Sequence, residues 1–101
     1  MAHRYSKTLL HQLRNDVDVA ALIRDVLALP TKTDHGVFRF QCPCCQGFDC
    51  ATNPKTNLAR CFHCLRNFNP IDLVMVVNRC AFVHAVDFLR QTLRNPSPPS
   101  N

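Results

Sequence analysis

Apolar residues in the first third of the chain recur with the period of an amphipathic helix. Between Tyr5 and Leu29, leucine, valine and alanine return every three to four positions, with an interruption near Asp16. Asp16 or Asp18 can cap the second piece, because a side-chain oxygen there accepts from the free amides of the first turn. Pro30 ends the pattern. We therefore predict two short helices packed on one side of the domain.

The middle of the chain changes to short segments typical of strands and turns. The polar stretch 31–36 predicts a turn, whereas 37–41 alternates apolar and polar residues and predicts a strand. A second strand is predicted over 49–52 and a third over 57–61. The turn between them begins at 53–54, where asparagine precedes proline. These segments predict a small antiparallel sheet.

Two more helices are expected in the last third. Asn69 before Pro70 is a helix start, because a capping side chain is followed by proline at the first helical position. The apolar spacing carries this helix to about Asn78, and a last helix is expected over 82–93. The fold class is therefore α+β, with a small antiparallel sheet flanked by N-terminal and C-terminal helices.

Length and composition limit the chain to one small globular domain. Its 101 residues are 47% hydrophobic and 19% charged, which is typical of a single folded core. Residues 95–101 hold three prolines and two serines and predict a disordered tail or linker stub, so the domain spans 1–94. We find neither a signal peptide nor an apolar run long enough to cross a bilayer. We expect a cytoplasmic protein with no membrane contact.

The chain has seven cysteines, and their spacing indicates a metal site. Without a signal peptide, such a density favours metal binding over disulfides. Two Cys-x-x-Cys turns are separated by fifteen residues, which is the paired spacing of zinc ribbons. Four thiolates satisfy tetrahedral Zn²⁺ and leave no open position, so the site is structural rather than catalytic. The predicted ligands of this zinc ribbon are Cys42, Cys45, Cys61 and Cys64.

The ligand assignment leaves some alternatives open. Cys44 could replace Cys45, and Cys50 or His63 could be drawn into the site. We expect Cys44, Cys50 and Cys80 to be buried and inert, since free cysteine behaves as a small apolar residue. A redox Cys-x-x-Cys is disfavoured, because the thioredoxin-like motif occurs once and in a βαβ context that this pattern lacks.

The cysteine pairs and their flanks resemble the zinc-binding domain of bacterial DnaG-type DNA primases. The matching sequence segments are Cys42-Pro43-Cys44-Cys45, Thr52-Asn53-Pro54, Leu58-Ala59-Arg60 and Cys61-Phe62-His63-Cys64. Segments 17–23, 69–74 and 82–89 are similar to the leading helix and the two closing helices of that family. Two features depart from the family pattern: Cys45 stands where the family has a histidine ligand, and the interval between the pairs is slightly shorter.

The resemblance implies a function in DNA replication. In that family this domain holds single-stranded template for primer synthesis, and a separate Toprim-containing domain makes the primer. Toprim chemistry needs a glutamate and an Asp-x-Asp pair. This chain has no glutamate, and its Asp-x-Asp sequence at 16–18 is explained by helix capping. We therefore predict no catalytic residue. The expected partners are single-stranded DNA and a catalytic primase domain or subunit, with a replicative helicase as a further candidate. This chain would act either as a fragment of a primase or in trans with a catalytic primase subunit.

Charge supports a polyanionic partner. The net charge is +5, nine of the twelve basic residues are arginine, and a zinc tetrathiolate leaves about +3. Basic groups and aromatic rings bind single strands together. If Phe38 and Phe40 are core residues, strand alternation turns Arg39 to solvent. The predicted DNA-binding residues are Arg39, Lys55, Arg60, Phe62, His63 and Arg66.

Two other interpretations compete with DNA binding. Each basic side chain could be an ordinary solvated surface charge. The domain could instead be a zinc-ribbon adaptor that docks on a protein of a replication or transcription complex. Exposed apolar residues beyond the basic strand face would favour the adaptor, and a continuous basic stripe would favour DNA.

Overall fold

A five-stranded antiparallel sheet with helices before and after it forms the domain. The computed structural model describes residues 5–94, except for the side chains of Asp34, Leu93 and Arg94. The strands follow one another across the sheet in chain order, so the sheet is a simple meander. The predicted α+β, zinc-ribbon-like fold class is confirmed. The predicted tail at 95–101 lies outside the described residues.

The N-terminal segment forms two short helical pieces, as predicted. Helix α1 spans Lys7–Asn15, and the Ser6 side chain accepts from its first turn. Helix α2 spans Val19–Ala21 and continues into a π-helical turn at Leu22–Val26. Asp18 provides the cap, because its carboxylate accepts from the amides of the first turn of α2 at 2.9 and 3.3 Å. Of the two aspartates considered, the cap is therefore Asp18.

The sheet has two strands more than predicted. Its strands are β1 at Thr31–Asp34, β2 at Val37–Phe40, β3 at Cys50–Asn53, β4 at Leu58–Cys61 and β5 at Arg66–Phe68. The prediction of a turn over 31–36 was wrong, because β1 pairs with β2 along its whole length and the turn is confined to two residues. An edge strand with polar residues on both faces has no alternation to reveal it.

The strand register divides the side chains into two faces. Residues paired across neighbouring strands point to the same side of a sheet. One such row contains Phe40, Cys50 and Cys61, all of which are fully buried, and it marks the inner face. The next row, here called the outer row, crosses all five strands and lies on the outer face. Its members are Lys32, Arg39, Ala51, Arg60 and Asn67.

The core lies between the inner face and the helices. Helix α3 spans Pro70–Asn78 and helix α4 spans Phe82–Arg94, close to the predicted bounds. A capping box between Asn69 and Asp72 starts α3. Side chains from the helices and from the inner face form one buried cluster, whereas none of the outer row is buried. The largest fully buried side chains include Phe40, Phe68, Leu13, Leu22, Ile23, Leu73 and Leu89.

Asn57 joins the β3–β4 turn to the N-terminal helices. Its backbone is left-handed, with φ of 57°, a conformation that asparagine tolerates. The side-chain oxygen accepts from the Val19 amide at 2.9 Å. Its amide nitrogen donates to the carbonyls of Arg14 and Val17, both at 2.7 Å. One side chain thus fixes the sheet against the junction of α1 and α2.

Within the described residues, no helix combines the length and apolar character that a membrane span requires.

Candidate metal centre and outer sheet face

The first Cys-x-x-Cys turn leads from β2 towards β3 and folds back on its own first cysteine. The amides of Cys44 and Cys45 donate to the Cys42 sulfur at 3.3 and 3.4 Å. The amide of Gln46 donates to the Cys42 carbonyl at 2.9 Å, with a left-handed φ of 66°. These bonds keep the two cysteines of the pair on one side of the bend. We call this turn the first knuckle.

The second knuckle, between β4 and β5, repeats that geometry. The Cys64 amide donates to the Cys61 sulfur at 3.3 Å. The Leu65 amide donates to the Cys61 carbonyl at 2.8 Å, and Leu65 is left-handed with φ of 59°. Each knuckle therefore presents two sulfurs from a short, internally hydrogen-bonded loop.

The two knuckles bring four sulfur atoms together. The sulfurs of Cys42, Cys45, Cys61 and Cys64 all lie within 4.8 Å of one another. Cys42 and Cys64 are 3.9 Å apart, and Cys45 and Cys61 are 3.7 Å apart, so both contacts are far longer than a disulfide bond. A metal with bonds of about 2.3 Å to four sulfurs has tetrahedral edges of about 3.8 Å. The arrangement can hold a metal ion at its centre.

The two cysteines that begin the knuckles are held in environments that favour the thiolate. Burial acts to raise the pKa of Cys42, but the amides of Cys45 and Cys44 and neighbouring thiols outweigh it and lower this pKa to about 6. At Cys61, burial is again outweighed, chiefly by the amides of Cys64 and His63, and the pKa falls below its usual value. Burial and the neighbouring thiols raise the pKa of Cys64 to about 12. A bound cation would favour the thiolate at all four positions.

The remaining cysteines lie outside the four-sulfur cluster found within the described residues, and so does His63. Cys50 is fully buried in β3, and burial raises the pKa of its thiol, so it stays neutral. Cys80 is partly buried and its sulfur approaches the Val74 carbonyl at 3.8 Å. Cys44 is exposed, so the expectation that it is buried was wrong. It lies in the middle of the first knuckle, where its side chain is directed outward.

Cations and aromatic rings meet on the outer face. The outer row places Lys32 beside Arg39, with Arg60 two strands further across the sheet. The Lys32 ammonium lies 5.1 Å from the ring centre of Phe48, and the Arg60 guanidinium lies 5.7 Å from that of Phe62. Both distances are within the range of cation–π attraction.

Lys32 and Phe48 were not among the predicted binding residues. Lys32 was missed because its segment was interpreted as a turn, and only the pairing with β2 places it beside Arg39. The threonines at 31 and 33 were the available signal, since threonine favours strands. Phe48 lies in the loop before β3, where no periodicity indicates which way a ring points.

Arg39 is less exposed than the alternation of β2 implied. Phe40 is fully buried as expected, but Phe38 and Arg39 are both partly buried. The Arg39 Nε atom is inaccessible to solvent, and it has no hydrogen-bond acceptor among the described residues. A buried donor without an acceptor is costly, and it calls for a physical explanation.

The other predicted binding residues are distributed around the sheet. Arg66 pairs with Cys61 in the inner-face register, lies 5.2 Å from the Phe68 ring centre and donates to the Cys44 sulfur at 3.3 Å. It is exposed, but it does not share a face with Arg39 and Arg60. Lys55 is exposed on the β3–β4 turn, and His63 is exposed on the second knuckle. The predicted face carrying all three arginines is therefore split by the register.

Comparison with known proteins assigns no family to this chain. No protein-family model matches the sequence, and a search of curated proteins gave no match. The resemblance to primase zinc domains therefore stays a prediction from the motif residues. A functional assignment depends on the four-sulfur cluster and on the outer face.

Proposed function

We propose that this chain is a zinc-binding module that holds single-stranded DNA on its outer face, as the template-binding part of a primer-synthesis machinery. A tetrahedral set of four thiolates suits Zn²⁺ or iron, and zinc is the ion for which paired knuckles of this spacing are typical. With all four positions filled by protein, the ion serves to fold and position the two knuckles. Its contribution to DNA binding is therefore indirect.

The outer row is the observation that carries the DNA proposal. Neighbouring strands lie about 4.8 Å apart, so the side chains of Arg39 and Arg60 leave the sheet roughly 10 Å from each other. Lys32 extends the row by one strand on the other side of Arg39. Phe48 and Phe62 stand beside the outermost cations of this row. A row of cations accompanied by aromatic rings fits a nucleic-acid single strand, whose phosphates need charge and whose bases stack on rings.

The unpaired donor of Arg39 supports the same proposal. Its Nε–H is directed at no acceptor within the described part of the chain. Because that atom is inaccessible to solvent, the Arg39 side chain would have to turn outward before a phosphate oxygen across the outer row supplied an acceptor. Charge-assisted bonds of this kind are among the stronger hydrogen bonds. DNA binding would then satisfy a donor that the free protein leaves unsatisfied.

The salt dependence of binding tests the proposal. Affinity for a labelled oligonucleotide, measured by fluorescence anisotropy, should fall with salt by a log–log slope of about −0.7 per phosphate contact. Replacing Lys32, Arg39 and Arg60 together with alanine should weaken binding and flatten the slope by roughly two units. Zinc content, measured by mass spectrometry under native conditions, should not change.

A matched control removes the same charge from the helices. Lys7, Arg14 and Arg90 are exposed helical residues, and replacing all three with alanine should leave the slope nearly unchanged. If the helix triple variant loses binding and the outer-row triple variant does not, the proposed face is wrong. If the wild type binds no oligonucleotide at low salt, DNA binding itself is wrong.

Exposed apolar residues give the adaptor interpretation some support. Leu65 is 68% exposed and Phe62 is 56% exposed, and both lie on the second knuckle. Such side chains could contact a catalytic primase subunit or a helicase. A Leu65→Ser variant that keeps zinc and DNA affinity but loses such a partner would assign Leu65 to protein docking.

A further inference from the structure

A groove of about 290 Å³ lies on the outer face, between the β3–β4 turn and the second knuckle. Its volume is at the lower limit of small-molecule sites, which start at about 300 Å³, so it suits a group the size of one nucleobase. Ala51 is the smallest member of the outer row, and its short side chain leaves this space beside Arg60. Its lining includes the apolar residues Leu58 and Phe62 and the polar residues Asn53, Thr56, Arg60 and Asn67.

Apart from threonine hydroxyls, which can donate or accept, the polar side chains of the groove offer mainly hydrogen-bond donors. Arg60 Nη1 donates to the Asn67 side-chain oxygen at 3.1 Å. The Lys55 amide donates to the Asn53 side-chain oxygen at 2.9 Å. Both amide oxygens are therefore engaged within the protein, and these contacts fix which atom of each amide is the oxygen. The amide N–H groups and the guanidinium remain to meet a ligand.

We propose that this groove binds one base of the single strand and prefers keto bases, thymine, uracil or guanine, over cytosine and adenine. The inference rests on the proposed DNA-binding function. Keto bases present carbonyl oxygens, at O4 in thymine and at O6 beside N7 in guanine. Cytosine and adenine present an exocyclic amino group at the corresponding position, where it would face donors. The exposed Phe62 ring provides the stacking surface for any base.

Two oligonucleotides of equal length isolate the predicted preference. Oligo(dU) and oligo(dC) have the same backbone and ring size. Their bases differ at C4, which is a carbonyl in uracil and carries an amino group in cytosine, and at N3, which carries a proton only in uracil. Measured by anisotropy at one salt concentration and slightly alkaline pH, oligo(dU) should bind roughly tenfold more tightly. An oligonucleotide of abasic sites should bind more weakly than either, because it retains only the phosphate contacts.

Conservative variants separate base recognition from charge. Arg60→Lys keeps the positive charge but loses the planar fork, so the salt slope should persist while the preference for oligo(dU) falls towards unity. Asn67→Ala should reduce the preference in the same way. Phe62→Ala should weaken both oligonucleotides about equally, since stacking is sequence-tolerant. Arg90→Ala is the control and should change neither quantity.

The outcomes distinguish this inference from the proposed function. Equal binding of oligo(dU) and oligo(dC) by the wild type would overturn the keto-selective groove and leave DNA binding intact. An unchanged preference in both Arg60→Lys and Asn67→Ala, with zinc retained, would also overturn it. If neither oligonucleotide binds, the proposed function fails, and the groove proposal fails with it.

Discussion

Replacing Asn57 with alanine should destabilise the domain far more than its position in a surface turn suggests. The side chain makes three hydrogen bonds that tie the β3–β4 turn to Arg14, Val17 and Val19. Two of the three are part-buried, so water cannot fully replace the lost partners. The backbone is also left-handed at this residue, where alanine is disfavoured.

The expected loss of stability follows from these contacts. Three hydrogen bonds at about 0.5–1.5 kcal/mol each give about 1.5–4.5 kcal/mol. A left-handed alanine adds about 1 kcal/mol. We therefore expect the free energy of unfolding to fall by about 2.5–5.5 kcal/mol, a large part of the 5–15 kcal/mol typical of small proteins.

Denaturant unfolding of the metal-saturated protein measures this loss. Asn57→Gly is the matched variant, because it removes the same hydrogen bonds while glycine accepts a positive φ. It should be about 1 kcal/mol more stable than Asn57→Ala. An Asn57→Ala protein within about 0.5 kcal/mol of the wild type, which is the ordinary range for surface substitutions, would refute the argument.

Two further predictions concern the metal centre. Removing the metal with a strong chelator at neutral pH should abolish cooperative thermal unfolding. In such domains the free energy of metal binding, about 10–16 kcal/mol, contributes directly to the free energy of folding. An unchanged melting curve would contradict a folding role for the ion. Cys44→Ala should retain one metal ion per chain by native mass spectrometry and Cys45→Ala should lose it, because Cys45 is the one of these two whose sulfur belongs to the four-sulfur cluster. The opposite result would transfer the ligand role to Cys44.

Local patterns were sufficient to predict the four clustered cysteines and most of the helices. The bonds that each knuckle makes to the sulfur and carbonyl of its first cysteine join residues at most four apart, so this part of the bend is specified by local sequence. The same holds for α3, whose cap and first turn are encoded by Asn69-Pro70 and Asp72. Where structure depends on neighbours in the sequence, the sequence was informative.

The composition of the outer face could not be predicted in this way. Whether Arg60 or Arg66 shares a face with Arg39 depends on the register from β2 to β5. Lys32 joins the row only because β1 pairs with β2. These contacts join residues that are far apart in the chain or belong to a strand too polar to recognise. The Asn57 bonds, which span about 40 residues, are equally invisible to local patterns.

The most direct test of DNA binding on the outer face is the nitrogen-15 NMR signal of the Arg39 Nε–H group. A zinc-loaded, isotopically labelled protein would be titrated with a short single-stranded oligonucleotide at low salt. We expect the Arg39 Nε–H signal to move strongly downfield as the side chain turns outward and gains a phosphate acceptor, with smaller changes at the amides of Lys32, Ala51 and Arg60. A stationary Arg39 signal, with shifts confined to α4 around Arg90, would contradict the account.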